Sequence, residues 1–142
     1  MIAHANSVIL DRSSSSSATK SALIEILDAT LLILPKTEST AECRSRIEGA
    51  RREFDEKSLF TDKGHQYLSL AYRLVTNGKQ WQIPEELSGA YRAKDIMAQA
   101  QAVGKKLIDS ALGELKAGHS QESVRYLLEY VLMVITPVER QM

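Results

Sequence analysis

Residues 19–34, TKSALIEILDATLLIL, settle the class of fold. Leu23, Leu27, Leu31 and Leu34 recur at every third or fourth position, and Ile24, Ile26 and Ile33 widen the stripe, which is the spacing of one face of an α-helix. Pro35 ends it, since a proline disfavours helical backbone in the residue before it. With so little polar surface, this helix is expected at the centre of a core. Glu25 and Asp28 interrupt its apolar run, and Ala22–Leu34 is shorter than the roughly 20 residues a membrane helix needs.

Four further helical segments follow by the same reading. The second begins at Ser39, with Glu42 at capping-box spacing, and carries a narrow stripe of Cys43, Ile47, Ala50 and Phe54. Its other face holds Glu48, Arg51, Arg52, Asp55 and Glu56, spaced as solvated surface pairs. The third runs from Thr61, an N-cap candidate, to Thr76, with Leu68, Ala71, Tyr72 and Val75 inward. Asn77-Gly78 then reads as a turn, because both residues tolerate positive φ.

The fourth segment opens at Pro84, which suits a first helical position, and the pattern continues to about 117. It is rich in small residues, which admit a close neighbour, and Gly104 is the place for a bend. Gly118 sits where a left-handed C-cap is expected. Ser120 caps the fifth segment, which runs to Thr136 before Pro137. Val124, Leu127, Leu128, Val131 and Ile135 form its core stripe, and Tyr126, Tyr130, Met133 and Val134 form a second apolar strip. No stretch alternates apolar and polar residues, so no sheet is expected. The expected fold is an all-α antiparallel bundle of four to five helices, one of them long (84–117).

Composition agrees. The chain has 142 residues, 44% apolar, 25% charged and 6% aromatic, which fits one domain. Residues 1–18, with five serines in a row from Ser13 to Ser17, are expected to be a flexible tail, residues 19–137 the bundle, and 138–142 a short C-terminal tail. Eighteen Lys plus Arg balance eighteen Asp plus Glu. That balance disfavours a sequence-independent grip on nucleic acid, which needs clustered cations. It disfavours a polybasic membrane-surface mode as well. A single cysteine, Cys43, excludes an internal disulfide and a CxxC pair. On the narrow stripe of the second helix it reads as a small buried hydrophobe. Residues 1–10 lack the charged and apolar segments of an intact signal peptide, so a cytoplasmic location is expected. Ala3-His4-Ala5 has the small-x-small form of a cleavage site and supplies the alternative, an exported chain whose leader is already removed.

Catalytic signatures are missing: no dinucleotide or Walker-type phosphate loop, no HExxH, no GxSxG and no paired ExxH. Gly78-Lys79 and Gly104-Lys105-Lys106 are too short to cradle phosphate. Two pairs of potential metal ligands remain. Asp62 and His65 lie in the first turn of the third segment, His119 and Glu122 at the start of the fifth. Strict up-and-down alternation would bring both pairs to one end of the bundle, where two imidazoles and two carboxylates can make a mixed zinc site. The plainer reading has the acids favouring helix dipoles beside solvated histidines.

The function expected from these residues is non-enzymatic: a helical interaction or adaptor bundle that binds another protein, with a second copy of itself among the candidates. Tyr126, Tyr130 and Met133 are the candidate contact residues, with Trp81 in the connector, because tyrosine and methionine are enriched where proteins meet. The alternative is a sensor bundle with a small-ligand or metal site near the His65/His119 end. No cofactor, nucleic acid or membrane insertion is expected.

Overall fold

Helical periodicity carries through to the structure. The computed structural model describes residues 16–57, 61–82 and 93–135, with side chains from residue 20 onward and, in the last part, from 102 onward. Five α-helices form: α1 (Ser16–Ile33), α2 (Ala41–Glu56), α3 (Asp62–Val75), α4 (Ala93–Lys116) and α5 (Ser120–Ile135). A short 3-10 turn, Glu38–Thr40, precedes α2. No strand occurs among the described residues.

Local chemistry explains the ends of these helices. The Thr61 hydroxyl accepts the Gly64 N–H at 3.2 Å and caps α3. Its far end closes where the Gly78 N–H reaches the Arg73 carbonyl at 2.7 Å across Asn77, whose φ is +58°. Gly118, at φ +86°, closes α4 through paired bonds, its own N–H to Leu115 O and the His119 N–H to Glu114 O. Ahead of α2 the cap lies two residues before the expected Ser39–Glu42 box. The Thr37 N–H donates to Thr40 Oγ1 at 3.2 Å, and Ser39 Oγ sits 2.9 Å from Thr37 Oγ1. Glu42 instead pairs with Arg46 at 3.5 Å. Helix α1 begins inside the serine run, at Ser16, so the expected tail boundary at 18 moves back. Helix α4 continues through Gly104, and the expected start at Pro84 lies outside the described residues, as do tail residues 1–15 and 138–142.

Helices α1, α2, α3 and α5 close a ring in which each packs on two of the others, while α4 packs chiefly on the outside of α5. Direction follows from side-chain ties. Arg51 grips Asp28 with Nε to Oδ1 at 2.6 Å, and Lys20 reaches the Asp55 carbonyl, so α1 and α2 are antiparallel. Cys43 meets the Ala71 carbonyl and Glu53 accepts from Thr61, which makes α2 and α3 antiparallel. Gln121 Nε2 donates to the Val75 carbonyl at 2.8 Å, joining the start of α5 to the end of α3. Ser123 Oγ donates to the Ala111 carbonyl at 2.7 Å and locks the α4–α5 hairpin.

The core sits inside the ring. Leu23, Ile26, Leu27, Ile47, Phe54, Leu68, Leu127, Leu128 and Val131 are essentially inaccessible to water. Burying each such side chain stabilises the fold by about 1.5–3 kcal/mol. The centre is α5 rather than the expected α1, because α5 is covered on three sides by α1, α3 and α4. Helix α1 has two neighbours, so Ile24, Leu31 and Ile33 are only half-buried, and Leu32 is 84% exposed.

Candidate functional site

One end of the bundle gathers the carboxyl ends of α1, α3 and α4 with the amino ends of α2 and α5. An open cleft of about 660 Å3 lies there, between Leu34, Pro35 and Thr37 after α1, Thr40 and Cys43 at the start of α2, Leu74 and Val75 of α3, and Gln121 of α5. A second cleft of about 580 Å3 shares Val75, Asn77, Gly118, Ser120 and Gln121 with it and extends to Lys79, His119, Glu122 and Arg125. Volumes of this size fall within the range of ligand sites. The lining is mixed: hydroxyls of Thr37, Ser39, Thr40 and Ser120 stand beside Leu34, Leu74 and Val75.

Apolar exposure concentrates at the same end. Among the described residues the exposed large hydrophobics are Leu32, Leu70, Leu74, Leu112 and Leu115. All five belong to the last two turns of α1, α3 or α4, the three helices whose carboxyl ends meet here.

Charge is ordered on the side of the second cleft. Arg125 donates from Nε to Glu122 at 2.9 Å and from Nη1 to Glu129 at 2.8 Å, and its guanidinium lies 4.1 Å from the centre of the Tyr126 ring. Burial works against the Arg125 cation, but the hydrogen bond to Glu122 and the charges of Glu129 and Glu122 outweigh it and hold its pKa above the ordinary value. Burial raises the pKa of Glu129, and the nearby positive charges of Arg125 and Lys79 offset only part of that. Tyr72 on α3 is raised as well, by burial first and then by the charge of Glu129. Burial pushes the Cys43 thiol up to about 11, so at neutral pH it is protonated and a poor nucleophile.

The candidate contact residues separate. Tyr130 is 0% exposed and Met133 6%, so both lie in the core of this chain rather than on a surface offered to a partner. Tyr126 is half-buried under Arg125. Trp81 is half-buried on a different side, where it lines a shallow groove of about 450 Å3 with His65, Gln66, Ser69, Leu70 and Arg73 of α3.

The expected meeting of Asp62 and His65 with His119 and Glu122 does not occur. Helices α3 and α5 are antiparallel, so the two pairs lie at opposite ends of a helix about 20 Å long at 1.5 Å per residue. His65 Nδ1 is 3.4 Å from Ser69 Oγ, whereas His119 Nδ1 contacts Glu114 Oε2 at 2.7 Å. Among the described residues no three His, Cys, Asp or Glu side chains are grouped to hold a metal ion. The residues missed in the sequence are the leucines of the end surface. Leu74 and Leu112 carry the same helical spacing as core leucines, so periodicity alone cannot separate them.

No helix among the described residues is long and apolar enough to cross a membrane. The chain matches no protein-family model, no curated protein and no solved structure.

Proposed function

We propose that this chain is a non-enzymatic helical module that binds another protein through the cleft-bearing end of its bundle. One observation carries the reading: every exposed large hydrophobic among the described residues lies in the last two turns of a helix that ends there, and one of them, Leu74, lines the open cleft. Exposed apolar surface gathered in one region and framed by polar groups marks interaction sites. A second copy of the chain is the simplest partner to test. The net charge of zero gives no long-range repulsion between copies, and the rim mixes both signs, with Lys36 and Lys79 near Glu38 and Glu122.

The paired substitution Leu74→Asp and Leu112→Asp tests the reading, since both side chains are exposed and the core is left intact. Light scattering over a concentration series detects self-association, and affinity capture with the purified chain detects other partners. The reading expects a partner that the native chain holds and the double variant releases, with the melting temperature unchanged. A partner held equally by both, or none held by the native chain, removes this surface.

A second reading rests on the 660 Å3 cleft itself, which has room for a small ligand between Thr40, Val75 and Gln121. There a ligand would raise the melting temperature of the native chain and leave a Thr40→Trp variant unmoved.

A further inference from the structure

The groove beside α3 carries charge of one sign. One wall is the face of α3 that holds His65, Leu70 and Arg73 at helical spacing. After the Asn77-Gly78 turn the chain comes back beside α3, so that Gln80 and Trp81 form the other wall. The groove is shallow, with a volume of about 450 Å3. Its apolar anchors are Trp81, half-buried against the core, and Leu70, 39% exposed. Its charged and titratable members are Arg73 and His65, and no Asp or Glu lines it among the described residues.

Arg73 is exposed, and its guanidinium makes no ion pair among the described residues. The clefts at the end of the bundle differ in this respect. Glu42 lines the larger and Glu122 the smaller, and Arg125 in the smaller one is already held by two carboxylates. Tryptophan and arginine are the residue types that most often carry binding energy between proteins. The ring contributes buried area, and the planar guanidinium matches a carboxylate through paired hydrogen bonds. An apolar side chain flanked by acids therefore suits these walls, whereas a basic segment would meet like charge.

We propose that the Trp81 groove docks a short acidic segment of another protein. In that complex a large apolar residue packs between Trp81 and Leu70, and an Asp or Glu beside it pairs with Arg73. None of the residues lining this groove lines either end cleft, so it is a separate surface from the one proposed above.

Selection from a displayed random-peptide library on the immobilised full chain tests it. The expected consensus joins Asp or Glu to Phe or Leu. Trp81 is the only tryptophan, so a synthetic peptide of that consensus is expected to shift its fluorescence saturably. Arg73→Glu, an exposed change that spares the core, is expected to weaken binding by about tenfold or more without moving the melting temperature. The Leu74→Asp and Leu112→Asp pair is expected to leave peptide binding unchanged, which separates this groove from the end surface. No enriched sequence, a consensus without acids, or binding indifferent to Arg73→Glu overturns the proposal. Self-association of the native chain that Arg73→Glu abolishes assigns the groove to a second copy and overturns it too. So does a consensus recovered only after Glu85 and Glu86, a few residues along from Trp81, are changed to Gln, since the chain's own acids then compete.

Discussion

Two tyrosines, Tyr67 between α2 and α3 and Tyr130 on α5, end differently. Between α2 and α3, Tyr67 lies over Gly49, where a Cβ would stand 2.9 Å from the ring. Tyr67 is only half-buried, its hydroxyl is not stranded, and the Lys63 ammonium lies 5.9 Å from the ring centre. On α5, Tyr130 is fully buried, and its hydroxyl has no hydrogen-bond partner among the described residues. Omitting a Cβ at Gly49 lets α2 approach the Tyr67 ring. At the rim Tyr67 keeps its polar tip in reach of water, while in the interior burial dries out that of Tyr130.

The strongest way to break the comparison is to weaken the seam between α2 and α3. Phe54 is fully buried, and a Cβ at Gly64 of α3 would stand 3.2 Å from its ring. Phe54→Ala is expected to cost about 3–5 kcal/mol in denaturant unfolding, as a large cavity in a packed core does. A loss below about 1 kcal/mol would mean that α2 and α3 do not carry the ring. The tyrosines themselves sharpen it. Tyr130→Phe is expected to raise stability by about 1–3 kcal/mol by removing an unpaired buried hydroxyl. Tyr67→Phe should stay within about 0.5 kcal/mol, as surface changes do. If the order of the two reverses, the contrast between rim and interior fails.

The smallest effect concerns pH. Folding raises the pKa of Glu129 above its ordinary 4.5, so the folded chain holds that proton more tightly than the unfolded one. The stability from this group is therefore complete below pH 4.5 and is lost as pH rises through the raised value. Thermal melts of the native chain and Glu129→Gln between pH 4.5 and 7 should show a shallower decline, or none, in the variant. Identical slopes would mean that Arg125 fully compensates the burial of Glu129.

Much of the fold was legible because helix signals are local. The stripe of Leu23 and Leu27, the Thr61 cap, the Asn77-Gly78 turn and the Gly118 closure follow from residues within a turn or two of each other. Helix boundaries moved only slightly, as at Thr37 and Ser16, because neighbouring hydroxyls compete for the same free N–H groups. The candidate site was less legible. Tyr130 and Met133 could be read as partner surface although such a stripe is more often core, since spacing shows that residues share a face and not what covers that face. The histidine pairing failed for a topological reason. Strict alternation would have made α3 and α5 parallel, but α3 and α4 point the same way and α5 runs against both.

What the amino-acid order determined is that five amphipathic rods form and where most of them stop, because hydrogen bonds within a helix and its caps span only a few residues. Which rod lies at the centre, which stays outside and which leucines remain wet were decided in three dimensions. Those outcomes depend on how whole faces are shared among helices far apart in the chain. Helix α5 is central because three neighbours converge on it, and Leu32, Leu74 and Leu112 stay exposed because no described helix covers the end where theirs terminate.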